Sequence, residues 1–374
     1  MRVVRISDSA QLPPLAPTWN RLADNVPFRT HAWLASWWEH YGAGRELCVL
    51  AVYDEHDRVR GLAPWYCETT RVHGQTLALL GSGEVCTDYQ AILASPDERE
   101  AVVDALADYL LGDDVAWDLI HLEGVSADEP TFARLSERLE NAGLTVDERA
   151  GLNTWRIALG ESWETYVESL SKSHRKQVRR VDRRLVETGE AKLRRVEWES
   201  DLAHGLNILV RLHQQRRASL GEPGCFADPR FEAFIRAAAP RLLALDMLRL
   251  FWIEINDWPV AVELQLAGGG VTYAYQAGLD PTALAEEPGR IINIATLKQA
   301  IEAGQRGFDF LRGDEPYKAH WRAEPQASRD VRIVNRLAGA QLRHGLWKAG
   351  DTLKQWIKTG LGRTPAPREQ EPMS

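Results

Sequence analysis

Cysteine is scarce in this chain. Four are spread over 374 residues, at Cys48, Cys67, Cys86 and Cys225, with no C-x-x-C spacing. That excludes a disulfide scaffold and a zinc ribbon, and predicts reduced thiols. Long apolar runs are missing as well. No stretch of about 20 hydrophobic residues exists, which excludes a transmembrane helix and stable membrane insertion. The opening Met1–Asp8 has no apolar core of a signal peptide, so a cytoplasmic location is expected. The ten histidines show no H-E-x-x-H or paired ligand spacing, and no metal site is expected. The absence of a Gly-x-Ser-x-Gly elbow argues against serine-based acyl transfer. A net charge of −8 excludes bulk nucleic-acid coating, although not one local basic patch.

What is present is an ordinary globular composition, 44% hydrophobic and 26% charged, on a chain longer than one core organises. Tryptophan stands out, with 14 residues. Trp33, Trp37 and Trp38 recur at helical spacing and read as core.

The most informative stretch is Gly307-Phe308-Asp309-Phe310-Leu311-Arg312-Gly313-Asp314-Glu315-Pro316-Tyr317-Lys318. A short apolar strand runs straight into a turn crowded with titratable groups, the usual ligand end of a strand in an open α/β sheet. Upstream, Met247–Ile255 alternates apolar residues and ends at Asn256-Asp257, a hairpin signal. Pro259–Leu266 follows, then a turn at Gly268-Gly269-Gly270, then a third strand, Val271–Ala277. After a loop closing on Pro288-Gly289, a helix from about Arg290 to Ala303 leads into the Phe308 strand. A helix start leaves backbone N–H groups without partners and carries partial positive charge. Pro288 supplies no N–H, Gly289 permits close approach, and Arg290 adds a cation, so this end suits a pyrophosphate. Simple punctuation before a helix explains the same residues.

The N-terminal half repeats the pattern. Strands are expected at Leu47–Tyr53, Val59–Tyr66 and Leu77–Leu80, with Pro64 suggesting an edge or bulge. A helix near 97–111 follows, then Trp117–Leu122. Leu119-Ile120-His121-Leu122-Glu123-Gly124 parallels the Phe308–Gly313 segment, about 190 residues away. A strand near Asn153–Leu159 is expected to complete the first copy. Two α/β (α+β) units follow from this: residues 1–160 and 161–335, each a mixed, largely antiparallel sheet flanked by helices. Residues 336–374 are read as an amphipathic helix, Ala340–Leu361, and a polar tail, disordered by composition, from Arg363 to Ser374. In that helix Arg343 and Lys348 alternate with Leu342, Leu346 and Trp347, compatible with docking on a membrane surface or packing on the body of the protein. Ser162–Val186 is expected to be one helix, densely basic from Lys172 onward.

Three stretches carry a family resemblance over residues 20 to 335. These are Phe28-Arg29-Thr30-His31-Ala32-Trp33 with Trp37-Trp38, the basic Ser171-Lys172-Ser173-His174-Arg175-Lys176, and the region from Ala277-Gly278-Leu279-Asp280 through Pro288-Gly289 to Lys318. The chain resembles the CelD-like branch of the GNAT superfamily, related to the Fem-type peptidoglycan aminoacyltransferases that also carry two GNAT units. The resemblance implies an acyltransferase that uses acyl-CoA (acetyl-CoA) for N- or O-transfer, in some members linked to surface polysaccharide or cell-envelope metabolism. It does not itself imply an acceptor; a small-molecule, glycan or amine acceptor is expected. The chain departs from the GNAT pattern in lacking a Gln/Arg-x-x-Gly-x-Gly/Ala loop.

Direct acyl transfer needs a base for the attacking group, donors for the oxyanion, and an acid for the leaving thiolate. Glu263 sits in an apolar strand between Val262 and Leu264. It is either solvent-facing by alternation or held in a cleft with a raised pKa. Asp314 and Glu315 are rival bases, unless they pair with Arg312 or Lys318. Tyr317 is the candidate acid. Gln276 is assigned to the donor with Pro288, Gly289 and Arg290, and Tyr275, Arg312 and Lys318 to the substrate. Asp309 alternates with Phe308 and Phe310, which fits an exposed position. Arg175 and Arg179 head a basic face for phosphates, a carrier protein or tRNA, or merely a solvated surface. Two other functions stay open: Fem-type aminoacyl transfer from tRNA, and a non-catalytic scaffold of a polysaccharide assembly.

Overall fold

The computed structural model describes residues 1–112, 114–187 and 190–360. The expected tail, Arg363–Ser374, and the expected helix end, Leu361, lie outside the described residues. In chain order the first elements are β1 (Arg2–Ile6), α1 (Ala16–Leu22), α2 (His31–Tyr41), β2 (Glu46–Tyr53), β3 (Val59–Thr70), β4 (Gly74–Leu79), β5 (Leu93–Ala94), α3 (Arg99–Leu111), β6 (Leu119–Ser126), α4 (Pro130–Asn141) and β7 (Thr145–Ala150). The middle of the chain forms β8 (Thr154–Ala158), α5 (Trp163–Ser169), α6 (Lys172–Glu187), β9 (Ala191–Arg195), α7 (Glu199–Ser219), α8 (Pro229–Ala244), β10 (Leu248–Ile255), β11 (Trp258–Gly268) and β12 (Val271–Leu279). Last come α9 (Pro288–Glu302), β13 (Gly307–Arg312), α10 (Tyr317–His320), β14 (Glu324–Gln326), β15 (Ser328–Val334) and α11 (Ala338–Gly360).

These elements make two compact units. One holds residues 1–152 with the described residues from 327 onward, and the other holds 153–326. The first sheet runs β1-β2-β3-β4-β6-β15-β7, with β5 beside β3. Its core joins Leu50, Trp65 and Ile120 to Val102, Leu106 and Leu135 of α3 and α4. All pairs are antiparallel except β4 with β6, joined through Thr76–Ala78 and Leu119–His121. Trp33 and Trp37 are buried, as their spacing predicts, whereas Trp38 is half-buried. Pro64 is not at an edge. It lies mid-sheet, at the point where β3 leaves β5 and takes up β4, which begins to pair at Trp65. In α11, Ala340 packs with Leu119 and Val334, and the guanidinium groups of Arg149 and Arg332 lie over the Trp347 ring, 4.3 and 3.9 Å from its centroid. This part of the helix is packed, although Leu342 and Leu346 remain exposed.

The second sheet runs β14-β8-β13-β12-β11-β10-β9. Two tight turns build its centre. Asn256 and Asp257 both take positive φ between Ile255 and Trp258, and Gly269 and Gly270 do the same between Gly268 and Val271. Paired positive φ values define the two-residue turn whose twist matches antiparallel strands. Among the described residues its one parallel pair is β12 with β13.

Three expectations are corrected here. The strand at 154–158 does not complete the first unit; β8 hydrogen-bonds to β13, with Phe308 opposite Ile157. Conversely β15, expected in the second unit, inserts between β6 and β7 of the first sheet. The divisions therefore fall at 152/153 and 326/327. A strand's apolar pattern announces that it is a strand, but long-range pairing chooses its sheet. The helix expected over 162–186 is broken, because Leu170 is extended (ψ 157°) and the Arg175 guanidinium bonds the Glu168 and Leu170 carbonyls at the end of α5.

Candidate active site

The parallel pairing of β12 with β13 lasts three residues, Val271–Tyr273 against Gly307–Asp309. Both strands continue, so beyond Tyr273 they part and leave the β12 backbone facing a slot. A bulge falls at the same place: Ala274 pairs with Gln265 and Gln276 with Leu264, which leaves Tyr275 as the extra residue. Bulges of this kind re-aim side chains. Helices cover both faces here. Leu250 lies under α7, where a Cβ on Gly205 would come within 2.8 Å of it. Phe251, the next residue, packs with Ile291 and Ile292 of α9. Successive side chains point to opposite faces, so α7 and α9 lie on opposite sides of the sheet. Gly278 sets how close α7 comes, since a Cβ there would fall 2.4 Å from the His213 nitrogen and 2.7 Å from the Leu212 carbonyl carbon.

A hollow of about 260 Å³ opens where the strands part. Glu263 lines it. It is cross-strand from Phe251, hence on the α9 face, and it is buried. Burial pushes its carboxyl up to about 7, offset in part by the bond from Gln265 Nε2 to Oε1, 2.6 Å. Of the two readings open to the sequence, the structure takes the cleft. Tyr317 lines the same hollow, and burial, then the Glu315 and Glu263 charges, raise its phenol well above the ordinary range, so it stays protonated. Asn293 of α9, which the sequence reading missed, is buried and lines the hollow; its Nδ2 has no hydrogen-bond partner among the described residues. A buried amide donor left without a partner costs about 1–3 kcal/mol unless something fills the space before it. An asparagine inside an otherwise apolar helix face was the available signal.

Gln276, Tyr275, Arg312, Glu315 and Lys318 also line the hollow. Lys318, however, is buried, and its Nζ donates to the carbonyls of Leu311 (3.1 Å), Arg312 (3.3 Å) and Gly313 (2.9 Å) and pairs with Glu315 at 2.8 Å. It holds a strained corner in which Leu311 takes a left-handed φ of 57°. That arrangement leaves Lys318 to shape the site and leaves Glu315 paired. Asp314 lies outside the hollow's lining and accepts from Asn153 Nδ2 and Trp155 Nε1, both at 3.0 Å. Asp309 is not exposed. It is fully buried, bonded to Arg156 Nε at 2.9 Å and to the Leu311 amide at 2.7 Å.

The start of α9 is more closed than the sequence suggests. Pro288 and Gly289 are buried and line neither hollow. Glu287, in a left-handed conformation, forms the cap position and pairs with both Arg290 and Arg180. Arg290 lines a second hollow of about 360 Å³ with Ser173, His174, Gln177, His320 and Tyr317. Tyr317 thus borders both. Arg175 caps α5 and Arg179 pairs with Glu164, so neither is aimed into a hollow; their neighbours His174 and Gln177 are.

Residues 172–319 match the model of the acetyltransferase (GNAT) domain. No curated protein sequence matches the chain. Among solved structures, FemX superposes with a TM-score of 0.62 at 13% identity, covering 90% of this chain and 98% of its own. The C-terminal domain of a putative lysylphosphatidylglycerol synthetase from Agrobacterium fabrum gives 0.55 at 10% identity, covering 92% and 96%. L-PGS from Bacillus licheniformis gives 0.52 at 8% identity, again covering 92% and 96%. The chain therefore shares the fold of FemX over both units, and the part that matches the acetyltransferase (GNAT) domain lies in its second unit.

Proposed function

We propose that this protein transfers an acyl group directly from an acyl thioester, an acyl-CoA such as acetyl-CoA, to an amine or hydroxyl of a small-molecule or glycan acceptor. The observation that carries the reading is the buried Glu263, its carboxyl held near 7, at the base of the slot where β12 and β13 part. A general base is most effective when its pKa lies near the working pH. Glu263 takes the proton from the attacking acceptor. Asn293 Nδ2, buried without a partner at the hollow, supplies a donor for the oxyanion. Tyr317 gives its O–H as a hydrogen bond to the departing thiolate. The hollow beside Arg290, His174 and His320 suits the donor's phosphates, with Tyr317 at the junction. Gln276 and Tyr275 border the acyl end. The reaction is placed in the cytoplasm, on precursors of the cell envelope or surface polysaccharides.

A second reading uses an aminoacyl ester on tRNA as donor. It is favoured by the exposed basic face of α6, including Lys172, Lys176 and Arg180, and by the carboxylate of Glu287 at the helix start intended for phosphate. Calorimetric titration separates the two. Acetyl-CoA binding that weakens in Arg290→Ala, with thiol release slowed about tenfold or more in Tyr317→Phe, supports the first. No heat with acetyl-CoA, together with steeply salt-dependent tRNA binding, overturns it in favour of the second.

A further inference from the structure

His213 and Gln276 of the hollow's lining also meet a cysteine, Cys225, that has no role in that scheme. Cys225 opens the short 3-10 turn Cys225–Ala227 ahead of α8. Its Sγ lies 3.5 Å from Nε2 of His213 and 3.7 Å from Oε1 of Gln276, and both partners line the hollow. His213 Nδ1 is 3.1 Å from Gln214 Oε1, while Gln214 Nε2 donates to the Pro223 carbonyl at 2.9 Å. The carbonyl can only accept, so it fixes which end of the amide faces the imidazole. An amide oxygen also only accepts, so Nδ1 carries the ring proton and Nε2 turns its lone pair to the thiol. Burial pushes His213 down to about 4, which keeps the ring neutral at working pH. Phe226 packs edge-on against the imidazole at 5.0 Å and fixes its plane. Gly224, at φ 71°, lets the chain pass this close; a Cβ there would fall 2.3 Å from Gln214 Oε1.

A nucleophile within reach of a base, and a base oriented by a third group, is the arrangement of an activated thiol. We propose that Cys225 is an S-acylation site, which takes an acyl group from an activated acyl donor in the hollow with His213 as its base. The Sγ–H proton passes to His213 Nε2. A bond forms from Sγ to the acyl carbon, the donor's bond from that carbon to its thiol sulfur breaks, and the leaving thiolate takes the proton from Nε2. No oxidant or second co-reactant enters. The thioester donor rests on the acyltransferase reading; the reactivity of the thiol does not.

The test uses the full chain and two probes, p-nitrophenyl acetate as a generic activated ester and acetyl-CoA. Peptide mass spectrometry follows acetylation of Cys225 against the exposed Cys86 as internal reference. The expected result is that the ester labels Cys225 about tenfold or more faster than Cys86, and that His213→Ala slows this by about 10². Because His213 is buried, Gln214→Leu serves as a second variant, with its melting temperature checked; it releases the imidazole without removing it and is expected to give a smaller loss at Cys225 and none at Cys86. Equal labelling of the two cysteines, or a Cys225 rate unchanged in both variants, overturns the proposal. Labelling by both probes supports the site and the donor. Labelling by the ester alone supports the thiol site while counting against acyl-CoA.

Discussion

Replacing Glu263 with glutamine separates the site's chemistry from its stability. The folded protein holds this carboxyl near 7, against 4.5 for the unperturbed group. A raised carboxyl pKa means that the unfolded chain releases its proton first. The stability that protonated Glu263 supports is therefore complete below about pH 4.5 and is lost as pH rises through about 7. With these two values the loss is about 1 kcal/mol at pH 5 and about 3 kcal/mol at pH 8. Glutamine keeps the shape, still accepts from Gln265 Nε2, and does not titrate. All other ionisable groups are common to both proteins and cancel in the comparison. Urea unfolding of wild type and Glu263→Gln at both pH values should show a gap in favour of the variant that widens by about 2 kcal/mol between pH 5 and pH 8. Turnover should fall by about 10²–10⁴, the range for loss of a general base. Stability curves that run parallel with pH would refute the buried, elevated carboxyl. A widening gap with undiminished turnover would refute its role as base and leave the burial intact.

Other expectations follow from named contacts. Gly278→Ala places a methyl against the backbone of α7 rather than a flexible side chain, so it should cost about 2 kcal/mol in urea unfolding and weaken donor binding by calorimetry. Lys318→Met leaves three carbonyls and Glu315 without their ammonium, and should cost about 3 kcal/mol with a matching fall in melting temperature. Arg156→Ala removes the guanidinium bonded to the buried Asp309 carboxylate and should cost about 3 kcal/mol in urea unfolding.

Much of this molecule was determined by residues close together in sequence. Asn256-Asp257 and the glycines at 269 and 270 settle two hairpins, because only a few residue types tolerate paired positive φ. Asp228 before Pro229 caps α8 for similarly local reasons, its side chain accepting from the Arg230 amide. The Phe308–Leu311 strand and its charged corner were also legible, since apolar alternation ends abruptly at Gly313. Only the tertiary structure decided the rest. Strands β8 and β15 are both short and apolar in part, yet one inserts between β14 and β13 and the other between β6 and β7. Glu263 sits in an alternating strand that reads equally well as solvent-facing; the helix packed over its face made it a buried acid. Lys318 read as a substrate contact and Asp309 as an exposed strand residue until backbone carbonyls and Arg156 surrounded them. His213 and Cys225 carry no motif at all, being twelve residues apart on a helix and a turn. Conformation along the chain follows from short-range sterics, whereas strand partners, burial and proton affinity arise from groups distant in sequence that only a completed fold brings together.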